Sequence, residues 1–165
     1  MIIIEINDLV VKEIIQTVCA SVTEQLSGIR LEEMSSRPEK IEDPMSVVVM
    51  SRGSFMSKAV MTLPHIFADR IVNEMSNGEV LSSDEKEAYF QEYVNIFFGR
   101  FISAVNNRTG RSSRFVIPVV LHGAYHETSE SIYKNRVEVD MNGDAGVLRI
   151  TMKYDVLPDY VSLQG

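Results

Sequence analysis

Residues Ser82 to Gly110 read SSDEKEAYFQEYVNIFFGRFISAVNNRTG and predict one long α-helix. Ser82 and Glu85 have the spacing of a capping box, in which each side chain accepts a hydrogen bond from the other residue's amide. Gly110 can take the left-handed conformation that ends many helices. No proline interrupts the stretch, and its apolar residues recur at the spacing of one helical face. These apolar residues are Phe90, Val94, Phe97, Phe98, Phe101 and Val105.

The opposite arc of this predicted helix is small and polar. It consists of Ala88, Glu92, Asn95, Gly99, Ser103 and Asn106. Glu92 and Asn95 are three residues apart, so their side chains are neighbours on the helix surface. Gly99 lies one turn further on, where alanine would stabilise an exposed helix by roughly 1 kcal/mol. The glycine therefore suggests that another molecule approaches the backbone at this point.

These residues carry a family resemblance. The sequence Glu92-Tyr93-Val94-Asn95, followed by Gly99, resembles the ExxN…G helix of the CheX and CheC chemotaxis phosphatases. Upstream, Leu63-Pro64-His65-Ile66 and Glu74-Met75-Ser76-Asn77-Gly78 resemble the family's short helix before the motif. Downstream, Ile117-Pro118-Val119-Val120 with Gly123 resembles the strand that follows it. The resemblance covers most of residues 8 to 155.

The resemblance implies a function and gives each residue a role. It implies a phosphatase that hydrolyses the aspartyl phosphate of a CheY-like response regulator. Glu92 would pair with the regulator's active-site lysine, and Asn95 would orient the attacking water, which makes these two the expected catalytic residues. Ala88, Gly99 and Ser103 would contact the partner. The chain would need no cofactor of its own, because the Mg²⁺ ion belongs to the regulator.

The resemblance also implies the type of protein within the family. Gln91 stands where CheC-type motifs have Asp or Ser, which favours the single-site CheX type. CheX-type proteins form homodimers through their sheets, and we therefore expect a homodimer here. An edge strand such as Arg136 to Met141 could provide the contact.

Two other copies of the ExxN spacing favour structural interpretations. Glu74 to Asn77 comes directly before Gly78, where Asn and Gly commonly end a helix. Glu13 to Gln16 is a degenerate copy, and a solvated Glu and Gln beside an apolar face is the favoured interpretation, with a second site as the alternative. His122 and His126 have a spacing that could hold zinc on a helix. Their surroundings predict a polar loop instead, so no metal site is expected.

Two non-catalytic functions remain as alternatives. The chain could be a binding module that kept the fold and docks a regulator or another signalling protein. It could also be a structural subunit related to flagellar switch proteins, which share the fold. Phosphate release from a phosphorylated regulator would separate the first alternative from the phosphatase, and co-purification with motor components would favour the second.

Composition limits the other classes of function. The chain has 165 residues, 45% hydrophobic and 24% charged, which fits a single globular domain over residues 1–165. A net charge of −7 argues against nucleic acid as the main partner. The single cysteine, Cys19, is expected to be a small buried side chain in a reducing compartment. No run is long enough to span a membrane, and no secretory signal opens the sequence, so we expect a cytoplasmic protein.

The remaining elements predict an α+β fold. Asn7 or Asp8 would cap a first helix over residues 8 to 27, and Pro64 would begin a short one that buries Ile66, Phe67, Ile71 and Met75. Between these helices, residues 29 to 45 form a polar stretch broken by Pro38 and Pro44, which favours an extended or looped crossing. The predicted strands are Leu31 to Met34, Ser46 to Met50, Lys58 to Leu63, Phe115 to Leu121, Arg136 to Met141 and Val147 to Tyr154. They suggest a mixed or antiparallel sheet of about five to six strands with long helices packed on one face. Residues after Pro158 read as a frayed tail.

Overall fold

A computed structural model describes residues 5–34, 40–127 and 131–158 of the chain. The described residues form three helices and seven strands. The helices are α1 (Asp8–Ser27), α2 (His65–Met75) and α3 (Ser83–Thr109). The strands are β1 (Glu32–Glu33), β2 (Pro44–Gly53), β3 (Phe55–Pro64), β4 (Ser113–Phe115), β5 (Val119–His122), β6 (Asn135–Gly143) and β7 (Gly146–Val156).

All the strands belong to one antiparallel sheet. Its order is β1-β6-β7-β3-β2-β4, and β5 also pairs with β2. The predicted α+β class is confirmed, but the strand count is slightly higher than predicted. The run predicted as one strand, Phe115 to Leu121, is divided into β4 and β5, with Pro118 in the break. Proline cannot donate a ladder hydrogen bond, which explains why the strand is interrupted there.

The helices cover one face of the sheet and leave the other face open. On β3 and β7, alternate side chains are buried, as expected when one face packs on a core and the other meets solvent. The buried apolar residues of these strands are Phe55, Ala59, Met61, Leu63, Leu148, Ile150 and Met152. They join the buried faces of all three helices in a single core.

Helix α1 has the predicted caps. The Asn7 side chain accepts a hydrogen bond from the amide of Val10 at 3.0 Å. At the other end Gly28 has φ 71° and its amide donates to the Glu24 carbonyl at 2.8 Å. Cys19 is fully buried as predicted, and burial raises the pKa of its thiol to about 12. The thiol is therefore protonated and unreactive at neutral pH.

Helix α2 differs from its prediction at three residues. Ile66, predicted to be buried, is 72% exposed. Pro64 is the N-cap rather than a residue of the first turn, and the buried side of the helix is formed by Phe67, Ala68, Ile71 and Val72, which leaves Ile66 facing solvent. Met75 is only half-buried.

The end of α2 confirms the structural interpretation of the second ExxN copy. The helix ends at Met75, Asn77 has a left-handed φ of 57°, and the amide of Gly78 donates to the Asn73 carbonyl at 2.8 Å. Asn77 therefore lies in a helix-ending turn rather than mid-helix. Two other predictions, the break at Pro38 and the tail after Pro158, lie outside the described residues.

Candidate functional site on helix α3

Helix α3 has both predicted ends. The amide of Glu85 donates to the Ser82 hydroxyl and the amide of Ser82 donates to the Glu85 carboxylate, each at 3.2 Å. Gly110 has φ 67°, and its amide donates to the Asn106 carbonyl at 2.9 Å. The 27-residue helix between them is the longest element of the described structure.

The two residues inside the ExxN motif fix the rotation of this helix. Tyr93 and Val94 are both fully buried. The Tyr93 hydroxyl is hydrogen-bonded to the Thr23 hydroxyl of α1 at 2.8 Å, and burial raises the pKa of Tyr93 well above its ordinary value. Because a helix turns by about 100° per residue, this anchoring dictates where the flanking side chains point.

Glu92 and Asn95 both point into solvent on either side of this anchor. Within the described parts of the chain, neither side chain has a hydrogen bond or an ion pair. Ala88 and Ser103, one to two turns away on the same arc, are also exposed. The structure thus places these four predicted residues on one open surface. Together with Gly99, which lies between Asn95 and Ser103, they define what we call the α3 strip: Ala88, Glu92, Asn95, Gly99 and Ser103.

Gly99 is half-buried, yet the chain itself does not require a glycine there. A Cβ at this position would meet only the Phe115 ring, at 3.7 Å, which is ordinary van der Waals contact. The backbone is helical, so no left-handed conformation requires glycine either. The chain's own packing gives no reason for a glycine at this position.

Asn106, on the same arc, has an intramolecular role. Its amide nitrogen donates to the Ser113 carbonyl at 3.0 Å, and its amide oxygen accepts from the Ser113 amide at 2.9 Å. These two bonds hold the loop between α3 and β4. The Asn106 side chain is therefore engaged within the chain.

The sheet edge formed by β4 and β5 flanks the α3 strip. Phe115 lies against Gly99, and Val120 lines a cavity of about 240 Å³ together with Phe90. Residues 116 to 118 lie between β4 and β5. Val116 is 41% exposed and Ile117 is 82% exposed. We call these two exposed apolar residues, which directly follow Phe115, the apolar border.

A histidine pair lies at the start of α3, in the wall of that same cavity. His65 Nε2 and His122 Nδ1 are 3.1 Å apart, and the two rings are stacked. His122 Nε2 is 3.4 Å from a Glu87 carboxylate oxygen, and His65 Nδ1 is 2.9 Å from the Asp43 carbonyl. Sequence spacing suggests His122 with His126 instead, because residues 57 positions apart give no local pattern. Among the residues described, no group of three or more His, Cys, Asp or Glu side chains could hold a metal ion.

The degenerate ExxN copy on α1, Glu13 to Gln16, differs from the α3 strip in the contacts of its side chains. Glu13 forms an ion pair with Arg108 at 3.6 Å, and Gln16 is half-buried. The pair links α1 to α3. This contact favours the structural interpretation of Glu13, although it leaves most of the carboxylate in solvent.

Chemically, the α3 strip offers one carboxylate and one carboxamide on a rigid helix. An amide cannot act as a general base, but it can donate to and accept from a water molecule and so hold it in place. The carboxylate can pair with a cation of another molecule. The strip has no cation, and no base lies within hydrogen-bond reach of the Ser103 hydroxyl among the contacts of the described residues, so a reaction here would depend on groups that a partner supplies.

The described fold is that of the CheX and CheC-like chemotaxis proteins, which confirms the predicted resemblance at the level of the fold. The structure of CheX from Desulfovibrio desulfuricans has a TM-score of 0.72 at 16% identity, with 88% of this chain and 99% of that chain covered. The CheX-CheY-BeF3-Mg+2 complex from Borrelia burgdorferi has a TM-score of 0.64 at 16% identity, covering 91% and 99%. FliY from Thermotoga maritima has a TM-score of 0.63 at 15% identity, covering 93% and 92%. No family model matches the sequence, and no curated protein sequence matches it significantly.

None of the helices in residues 5–34, 40–127 and 131–158 is both long and apolar enough to cross a bilayer.

Proposed function

We propose that this chain binds a CheY-like response regulator through the α3 strip and accelerates hydrolysis of the regulator's aspartyl phosphate. The observation that carries the proposal is the exposure of Glu92 and Asn95 on either side of the fully buried Tyr93 and Val94. The partner class is supported by the similar fold in the CheX-CheY-BeF3-Mg+2 complex.

In this proposal each group of the strip has one task. The Glu92 carboxylate pairs with the regulator's active-site lysine and contributes to binding. The Asn95 amide enters the regulator's site and holds the attacking water in line with the phosphorus atom. Phosphoryl transfer depends chiefly on positioning and charge stabilisation, and a rigid helix suits the first of these tasks. The regulator supplies the aspartyl phosphate, the lysine and the Mg²⁺ ion.

The partner-binding residues allow a partner to come close to the helix. Ala88, Gly99 and Ser103 have small side chains, so loops of a regulator can approach the helix backbone closely. Val116 and Ile117 provide apolar contact area beside them, because burying such side chains against a partner stabilises a complex.

A non-catalytic docking module is the second candidate. The apolar border at Val116 and Ile117 would serve docking equally well without any hydrolysis. The similarity to FliY is compatible with this candidate, because that protein shares the fold. A regulator that binds the chain but keeps its phosphate at the uncatalysed rate would favour the docking module.

The experiment measures binding and phosphate release with one CheY-like regulator. The parent chain is expected to bind the BeF3-activated regulator and to increase phosphate release from the phosphorylated one. Glu92→Ala should weaken binding about tenfold or more, because a charge-assisted pair is lost. Glu74→Ala is the matched control, because Glu74 is the glutamate of the second ExxN sequence, at the end of α2. This variant should bind like the parent.

A homodimer also remains a proposal. Strand β1 pairs with β6 only at Met141 and Asn142, so among the described strands the outer side of Asn135 to Val139 has no neighbour. The edge available for sheet pairing is therefore shorter than predicted. Sedimentation equilibrium of the parent chain and of Arg136→Pro would test whether this edge holds two copies together.

A further inference from the structure

The open face of the sheet carries a row of like charges. Lys58 on β3 is the direct cross-strand partner of Lys153 on β7, and Lys153 is in turn the partner of Arg136 on β6. Side chains directly opposite each other on antiparallel strands lie close together, and like charges in such positions destabilise a sheet. Carboxylates of the fold offset part of this repulsion, because Lys58 and Lys153 pair with Glu127, and Arg136 pairs with Glu138 at 3.5 Å.

This row forms part of a cationic groove. The groove has a volume of about 630 Å³, and its described lining includes five cationic side chains but only two carboxylates. The cations are Lys40, Lys58, Arg136, Arg149 and Lys153, and the carboxylates are Glu127 and Glu138. Arg149 is paired with Asp140 at 2.8 Å and with Glu138 at 3.7 Å, so its charge is already offset within the fold. The groove is thus locally rich in positive charge, although the chain as a whole has a net charge of −7.

One carboxylate shows that the row can hold an anion. Glu127, from the segment after β5, has an oxygen 3.1 Å from Lys58 Nζ and 3.9 Å from Lys153 Nζ. The Lys58 ammonium also donates a hydrogen bond to the Tyr125 hydroxyl. The hydrogen bond from Lys58 lowers the pKa of Glu127 below its ordinary value. Two lysines and a tyrosine thus converge at a position already shown to suit a negatively charged oxygen.

The groove also has apolar lining. Ile41, Pro44 and Val60 contribute to it. A volume of this size exceeds what a bare phosphate would fill and falls within the range of about 300–1,000 Å³ typical of small-molecule sites. Ammonium groups bind phosphate oxygens as point charges, and several such groups together favour a multiply charged anion.

We propose that the groove binds a phosphate-bearing small molecule of nucleotide size, with its phosphates on Lys58, Lys153 and Arg136 and its apolar part towards Val60. The bound phosphate would take the position that Glu127 occupies in its absence. The groove lies on the opposite side of the sheet from the α3 strip, and this inference does not depend on the proposed phosphatase activity.

The experiment uses the full chain and measures both its unfolding temperature and the heat of binding with ATP as the probe. ATP is expected to raise the unfolding temperature and to bind in a saturable manner. Lys153→Gln should weaken that binding about tenfold or more, since a charge-assisted contact is lost. Lys12→Gln, at an exposed position of α1, is the matched control and should leave ATP binding unchanged.

A measurement without ATP and one further variant distinguish a binding site from a purely structural cluster. Without ATP, Lys153→Gln should unfold at the same temperature as the parent or higher, because one like-charge contact has been removed. Glu127→Gln should bind ATP more tightly than the parent, because the competing carboxylate is gone. Adenosine alone should give no shift, and pyrophosphate a smaller one than ATP.

Four results would overturn the proposal. These are no saturable binding of ATP, equal stabilisation by sulfate at matched ionic strength, unchanged ATP binding in Lys153→Gln, and a clearly lower unfolding temperature of free Lys153→Gln. The last result would show that the lysine is needed for the fold rather than for a ligand.

Discussion

The hydroxyl groups of Tyr93 and Thr23 form a buried hydrogen bond of 2.8 Å that joins α3 to α1. Tyr93 lies between the two exposed residues of the candidate site, so the bond also fixes the direction in which Glu92 and Asn95 point. A buried polar contact at this position gives the helix one preferred rotation, whereas apolar packing alone would tolerate small adjustments.

Removing one of the two hydroxyl groups of this hydrogen bond should destabilise the fold. In Tyr93→Phe the Thr23 hydroxyl loses the tyrosine inside the core and keeps the Cys19 thiol, a weak hydrogen-bonding group, as a side-chain partner. We expect a loss of about 1–2 kcal/mol in the free energy of unfolding. Urea unfolding measures it. The double variant Tyr93→Phe with Thr23→Val should recover part of the loss, because no buried hydroxyl is then left unpaired. Strictly additive losses in the double variant would contradict this account.

Gly99→Ala should separate folding from partner binding. The added methyl group meets only the Phe115 ring at 3.7 Å, and alanine is the better helix former by about 1 kcal/mol. We therefore expect a more stable chain that binds the activated regulator more weakly, because a loop approaching the backbone would meet the new methyl group. A variant that is more stable and binds like the parent would show that no partner contacts Gly99.

Ile117→Ser should weaken regulator binding without affecting stability. Ile117 is 82% exposed, so its replacement costs the fold little, but a partner that covers the α3 strip would lose an apolar contact worth about 1–2 kcal/mol. Isothermal titration with the BeF3-activated regulator tests this. Ile66→Ser is the matched control, because Ile66 is also exposed, at 72%, and lies on α2. Equal effects of the two variants would exclude a specific role for Ile117.

The buried tyrosines predict a loss of stability at high pH. Burial raises the pKa of Tyr93 and of Tyr154 above the ordinary value of about 10. A raised pKa in the folded state means that the contribution to stability is complete below pH about 10 and declines as the pH rises further. Absorbance at alkaline pH should show two of the six tyrosines ionising only as the chain unfolds. Titration of all six in the folded chain near the ordinary pKa would contradict the structure.

The elements of the fold that local sequence determines were predictable. Capping at Ser82 and Gly110, the turn at Asn77 and the buried face of α3 all depend on residues within a few positions of one another. Ile66 was mispredicted because the side of a short helix that faces the core is set by the sheet beneath it. The separate strands β4 and β5 were missed because the apolar run hides the effect of Pro118.

The site was predictable only in part. Its two polar residues could be found because a helix places residues three apart on one surface, and the exposure of both agrees with that geometry. The apolar border at Ile117, the pair of His65 with His122 and the cation row across β3, β7 and β6 could not be found. Each of these depends on strand pairing or packing between distant parts of the chain.

The most direct test of the central claim is the rate of phosphate release from a phosphorylated CheY-like regulator in the presence of Asn95→Ala. Asn107→Ala, another exposed asparagine of α3 that lies off the strip, is the matched control. We expect Asn95→Ala to bind the BeF3-activated regulator within a few-fold of the parent but to release phosphate no faster than the regulator alone, whereas Asn107→Ala acts like the parent. Phosphate release by Asn95→Ala at the parent's rate would contradict the account.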